Sequence, residues 1–185
     1  MAKRVVIAAM MVFSACSAAF AADEELRQTV SINSPNPKVE EVDAALFPKG
    51  IAELKTECAQ MEKIGLRCQS VIPKSSLDTI QVTFARGSAM LTEEGKAFLR
   101  SVGAALKIKT GVWKSLAIEG HTDATGTEAV NRRLSKSRAD SVKSFLQAEF
   151  GLSNIETVGR SSENLRDSND PTGGLNRRVE FIPNW

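Results

Sequence analysis

A chain of 185 residues, 42% hydrophobic and 25% charged, can hold one core of about a hundred residues with segments to spare. Its 24 basic side chains outnumber its 22 acidic ones only through Lys3 and Arg4, so the remainder is balanced. That disfavours a nucleic-acid binder working through a broad basic surface, and a single histidine disfavours a catalytic metal centre.

Met1-Ala2-Lys3-Arg4 is a basic start, Val5 to Phe13 an apolar stretch, and Ala19-Phe20-Ala21 an A-x-A cleavage signal before Asp23-Glu24-Glu25. Residues 1–22 therefore read as an export signal. A membrane anchor needs ~20 predominantly apolar residues, whereas the second half of this run is rich in Ser and Ala. Phe13-Ser14-Ala15-Cys16 also has the form of a lipobox, with Phe13 where an aliphatic residue is usual. Cleavage at Ala21 or Ala22 is favoured over lipidation at Cys16. The chain is therefore expected to be exported across the cytoplasmic membrane.

Residues 23–38 contain Ser34-Pro35-Asn36-Pro37 and are predicted to form an extended tether. Residues 39–76 are predicted to form a small helical unit and a connector. Ile51, Leu54, Cys58, Met61 and Ile64 recur at helical spacing, and Gly65 sits where a helix would stop. With Cys16 in the signal, Cys58 and Cys68 remain as an even pair, and an oxidising compartment favours a bridge over two buried thiols.

From residue 77 the pattern changes. Ile80, Val82 and Phe84 alternate with Thr79, Gln81 and Thr83, predicting a strand. Thr92-Glu93-Glu94 caps a helix that turns Phe98, Leu99, Val102, Leu106 and Ile108 inward. Trp113 to Glu119 reads as a second strand, 127–150 as a long helix stopped by Gly151, Ile155 to Gly159 as a third strand, and Val179 and Phe181 mark a fourth. The order β-α-β-α-β-β predicts an α+β domain over 77–185, with helices packed on one face of a mixed four-stranded sheet.

On the long helix Leu134, Val142, Phe145 and Leu146 form the core-facing stripe, and Arg138 and Asn131 interrupt it. A guanidinium on such a stripe needs a partner, because an unpaired charge is expensive to remove from water. The loop feeding this helix, Gly120-His121-Thr122-Asp123-Ala124-Thr125-Gly126, supplies Asp123. Arg138 can take a ligand carboxylate through its planar fork while Asp123 takes an ammonium, which makes a pocket for a zwitterion. An internal Asp123–Arg138 salt bridge tying loop to helix accounts for the same residues equally well.

Gly120-His121-Thr122-Asp123, Gly126, Asn131, Leu134-Ser135, Arg138-Ala139 and Val142 form one ordered set with Phe84-Ala85-Arg86-Gly87-Ser88-Ala89 and Leu91 upstream and Asn176-Arg177-Arg178-Val179-Glu180 downstream. This set resembles the OmpA-like peptidoglycan-binding domain, the C-terminal domain of outer-membrane protein A, peptidoglycan-associated lipoprotein and flagellar stator proteins. The resemblance implies non-covalent binding of the meso-diaminopimelate of the wall's stem peptide. Asp123 and Arg138 are the implied anchors, with Asn131, Thr122 and Leu134 beside them; His121, Arg177 and Arg178 are read apart from the resemblance as candidates for the rim. It also implies a link between the cell wall and the outer membrane or a periplasmic assembly, without a cofactor or metal.

Other readings are weaker. His121 next to Asp123 does not make a hydrolase, because no Gly-x-Ser-x-Gly segment supplies a nucleophile, so no catalytic residue is assigned. Arg132-Arg133 and Arg177-Arg178 are read as groove or solvent residues, not as an RNA patch. A scaffold protein in which Asp123 and Arg138 are only a salt bridge, and residues 39–68 dock an outer-membrane protein, is the alternative function. A homodimer stays open.

Overall fold

A computed structural model describes residues 27–47, 51–66, 74–85 and 87–184. The export signal, Cys16 and Cys68 lie outside the described residues. The elements are β1 (Arg27–Ser31), α1 (Val39–Leu46), α2 (Ile51–Lys63), β2 (Lys74–Thr79), α3 (Glu93–Ile108), β3 (Ser115–Gly120), α4 (Glu128–Phe150), β4 (Ile155–Gly159), a 3-10 turn (Gly174–Asn176) and β5 (Val179–Asn184). This is the α+β two-layer arrangement expected, a mixed sheet with helices on one face.

The sheet runs β1-β2-β5-β3-β4. The pairs β1/β2 and β3/β4 are parallel, whereas β5 is antiparallel to both β2 and β3. Leu77, Leu116, Ile118, Val179 and Phe181 point into the core. They meet Val42 and Leu46 of α1, Phe98, Leu99, Val102 and Leu106 of α3, and Val142 and Leu146 of α4. Thr92 caps α3 by accepting from Gly95 N at 3.1 Å, and Gly151, at φ 64°, ends α4 in the left-handed conformation.

Three expectations are corrected. The sheet has five strands, because Arg27–Ser31 of the predicted tether pairs in full register with β2. The first domain strand is Lys74–Thr79, earlier than the alternation at 79–84 suggested. Its polar side chains are buried yet bonded: Ser75 Oγ donates to Leu46 O at 2.5 Å, and Ser76 Oγ lies 3.0 Å from Thr29 Oγ1. Hydrogen bonding, not hydrophobicity, makes this strand. Finally, α1 belongs to the domain core and not to a separate helical unit. Met61 and Ile64 of the α2 region are exposed.

The helix α4 lies on the sheet along its small-residue line. Asn131, Ser135, Ala139, Val142 and Leu146 are its buried positions. A methyl group on Gly120 would collide with Ser135 O, and one on Gly159 would stand 2.7 Å from Arg132 O and Lys136 N. Two glycines therefore let the helix seat against β3 and β4. The helix is rotated from the expected stripe, so Leu134 and Arg138 fall on its half-buried flank.

On the other face, Asp78, Glu180 and Glu119 stand in a row across β2, β5 and β3. Arg160 binds Glu119 through two nitrogens at 2.8 and 2.5 Å. Arg178 Nε lies 3.2 Å and Arg166 Nε 3.7 Å from Asp78. All three arginines belong to the segment 160–178 joining β4 to β5, so these pairs clamp that connection to the end of the sheet.

Candidate ligand-binding site

At the C-terminal end of β3 the chain turns through Thr122, Asp123 and Gly126 into α4, and the clamped connection 160–178 returns beside it. Thr122 N donates to Ser161 O and Ala124 N to Pro171 O, both at 2.9 Å. Gly126, at φ 85°, makes a turn that disfavours a side chain. Asn131 reaches back from the first turns of α4, donating through Nδ2 to Thr125 O at 2.8 Å and to Asp123 O at 3.2 Å. It thereby holds the loop's shape.

The Asp123 carboxylate is divided between two tasks. Oδ1 accepts from Thr125 N at 3.0 Å and from the Thr125 hydroxyl. Oδ2 accepts from Arg177 Nη1 at 2.7 Å. Burial raises the Asp123 pKa, but the bonds from Thr125 and Arg177 outweigh it and leave the group below its ordinary value. Asp123 is therefore ionised at neutral pH.

Arg138 sits across the cleft. Its Nε donates to Ser88 O at 3.2 Å and its guanidinium lies 5.1 Å from the Phe84 ring centroid, a cation–π contact. Among the described residues no carboxylate is within ion-pair distance of it. Burial lowers its pKa, the nearby Arg177 lowers it further and Asp123 partly compensates. The Ser88 carbonyl and the ring arrive through the turn 84–91, closed by the bond from Ala85 N to Met90 O at 2.8 Å.

Asp123, Arg138, Asn131, Thr122 and Leu134, the five residues assigned from the sequence, line one cavity of about 540 Å³ with Phe84, Gly87, Thr125, Thr172 and Arg177. The rim residues divide. Arg177 is half exposed and lines this cavity, bound to Asp123. His121 and Arg178 are buried, at 2% and 8% exposure, and line a neighbouring cavity instead of this one. Successive residues entering β5 point to opposite sides, so Arg177 faces the cleft and Arg178 faces Asp78. Burial and Arg178 hold the His121 pKa down at about 3, so the ring is neutral. Sequence reasoning missed Phe84 and Ser88 as partners of Arg138 and Arg177 as the partner of Asp123. Phe84 and Ser88 stood in the quoted motif, but nothing in their spacing aimed them at α4.

The fold and cleft define a class: a small α+β module that presents an aspartate and an arginine, not paired to one another, to a polar cavity. The chain belongs to the OmpA family, matched over residues 83–178. That family consists of structural proteins, not enzymes. Over 103 residues the chain is 39% identical to the probable lipoprotein YiaD of Escherichia coli, a match covering 54% of this chain and 46% of that protein. Over 73 residues it is 41% identical to the peptidoglycan-associated lipoprotein of Buchnera aphidicola, covering 37% of this chain and 42% of the relative. The chain thus spans less than half the length of these curated relatives. A putative MotB-like protein from Desulfovibrio vulgaris has the same fold, with a TM-score of 0.53 at 19% identity over 79% of this chain and 98% of that one.

Proposed function

We propose that this chain binds peptidoglycan without covalent chemistry, by gripping the free amino-acid end of diaminopimelate in the stem peptide. The ligand ammonium takes the Asp123 oxygen now held by Arg177, and the ligand carboxylate takes the open side of the Arg138 guanidinium. Asn131 and Thr125 keep Asp123 in place, and Thr122 and Leu134 line the cavity between the two charges. Membership of the OmpA family supports a peptidoglycan ligand. The observation that carries the reading is the separation of Asp123 and Arg138 across one open cavity, with no carboxylate among the described residues paired to Arg138.

The scaffold alternative required Asp123 and Arg138 to be each other's partners, whereas Asp123 pairs with Arg177. Retention of the mature chain on purified peptidoglycan tests the proposal. Wild type is retained and is released by free meso-diaminopimelate, whereas Arg138→Ala is not retained. Indifference to diaminopimelate at saturation would defeat it.

The same reading places the protein in the periplasm or at the outer membrane after loss of residues 1–22, with Cys58 and Cys68 joined. Intact-mass measurement of the envelope-extracted protein should give an N-terminus at Asp23, not a lipidated Cys16, and a gain of two hydrogens on reduction.

A further inference from the structure

Two cavities meet at the arginines. Beside the one holding Asp123 lies a second, of about 450 Å³, walled by Ile80, Val82, Phe84 and Leu175 and by the guanidiniums of Arg138 and Arg177. Phe84, Arg138 and Arg177 border both cavities, so two cations stand on the divide. Arg178 also borders the second cavity, but it is committed to Asp78 at 3.2 Å and to Asn164 O at 3.1 Å.

Charge does not balance on that divide. Asp123 is the carboxylate on Arg177, and among the described residues Arg138 has none. An ammonium that takes Asp123 deprives Arg177 of its partner as well. A ligand end with one ammonium and one carboxylate then satisfies one guanidinium and leaves the other half-buried without a counter-charge. Arg177 already borders the second cavity, where its fork meets space with an apolar wall.

We infer that the second cavity is a subsite for a further carboxylate of the same ligand, carried beside a small apolar side chain. In a stem peptide this is the C-terminal alanine that follows diaminopimelate. The inference rests on the peptidoglycan reading and adds to it a preference for stems that end in a free carboxylate.

Calorimetry with the full mature chain tests it, using Nα-acetyl-diaminopimelyl-D-alanine as the acid and as the C-terminal carboxamide. The acid is expected to bind about tenfold more tightly, the difference one charge-assisted bond makes. Arg177→Gln should bring the two peptides within about twofold. Leu175→Glu, which sets a carboxylate in the second cavity where the ligand's own would sit, should likewise remove the preference for the acid. Equal binding of acid and carboxamide to the wild type, with the carboxamide still dependent on Asp123, overturns the subsite alone. Failure of both peptides to bind overturns the peptidoglycan reading with it.

Discussion

Asp123 reaches the cleft with one oxygen engaged by its own turn and the other by Arg177, so the proposed ligand capture would exchange one cation for another. Losing either charged anchor leaves the ligand's opposite charge desolvated without a partner, which typically costs ~2–5 kcal/mol. Arg138→Ala and Asp123→Asn should each weaken diaminopimelate binding by that amount in calorimetry, with circular dichroism unchanged. The asparagine keeps an acceptor for Thr125 N, so the turn survives. The depressed pKa of Asp123 fixes the sign of the pH response: binding holds across neutral pH and falls only as acid titrates a carboxylate below its ordinary 3.8. Because Arg177 supplies part of that depression, Arg177→Gln should move the acid midpoint of binding upward, a shift that pH-dependent titration reads directly. That Asp123, Arg138 and Asn131 would share one cleft was legible in the sequence, since an arginine and an asparagine interrupted the apolar stripe of the helix fed by the Asp123 loop. Arg177 was named at the rim, but its pairing with Asp123 was not legible, because it lies 54 positions away and only the clamped 160–178 connection brings it there.

The helix α4 carries Asn131, Leu134 and Arg138, and two glycines decide how deep it sits. Gly120→Ala forces a methyl group into Ser135 O, a backbone atom that can yield only if the helix moves. Overpacking of this kind destabilises by ~1–3 kcal/mol. Thermal unfolding should register that loss, and peptidoglycan retention should fall with it because Arg138 moves with the helix. Reading α4 from hydrophobicity alone turned the wheel too far towards Leu134, since the closest contact uses Ser135 and Ala139, which carry almost no hydrophobic signal. The same blindness moved the first strand: Ser75 and Ser76 are buried through hydrogen bonds that no alternation reveals. At the end of β3, His121 is held neutral by burial and by Arg178. The folded state refuses a proton that the unfolded chain accepts at 6.5, so stability is complete above that pH and declines towards about 3. One proton corresponds to ~1.4 kcal/mol per pH unit. Urea midpoints at pH 7 and pH 4.5 should therefore fall less steeply for His121→Gln than for wild type.

The whole molecule begins earlier than its ligand site does. Val42 and Leu46 are fully buried against the domain, and β1 completes the sheet. Each buried aliphatic side chain contributes ~1.5–3 kcal/mol, so a fragment of residues 70–185 should be several kcal/mol less stable than 24–185 by urea denaturation. The two-layer α+β arrangement was legible because each helix and most strands carry their own period. The fifth strand was hidden because Arg27–Ser31 has no buried apolar alternation and is ordered by its partner.

Strand direction has a mechanical corollary. β1 and β2 run parallel to β3, and the cleft lies where β3 ends, so the chain enters the sheet at the opposite pole. If the cleft grips the wall as proposed, a pull on the residues ahead of Arg27 acts along the strands. It loads the β1–β2 ladder in shear, all its bonds together, where a peeling geometry would break them singly.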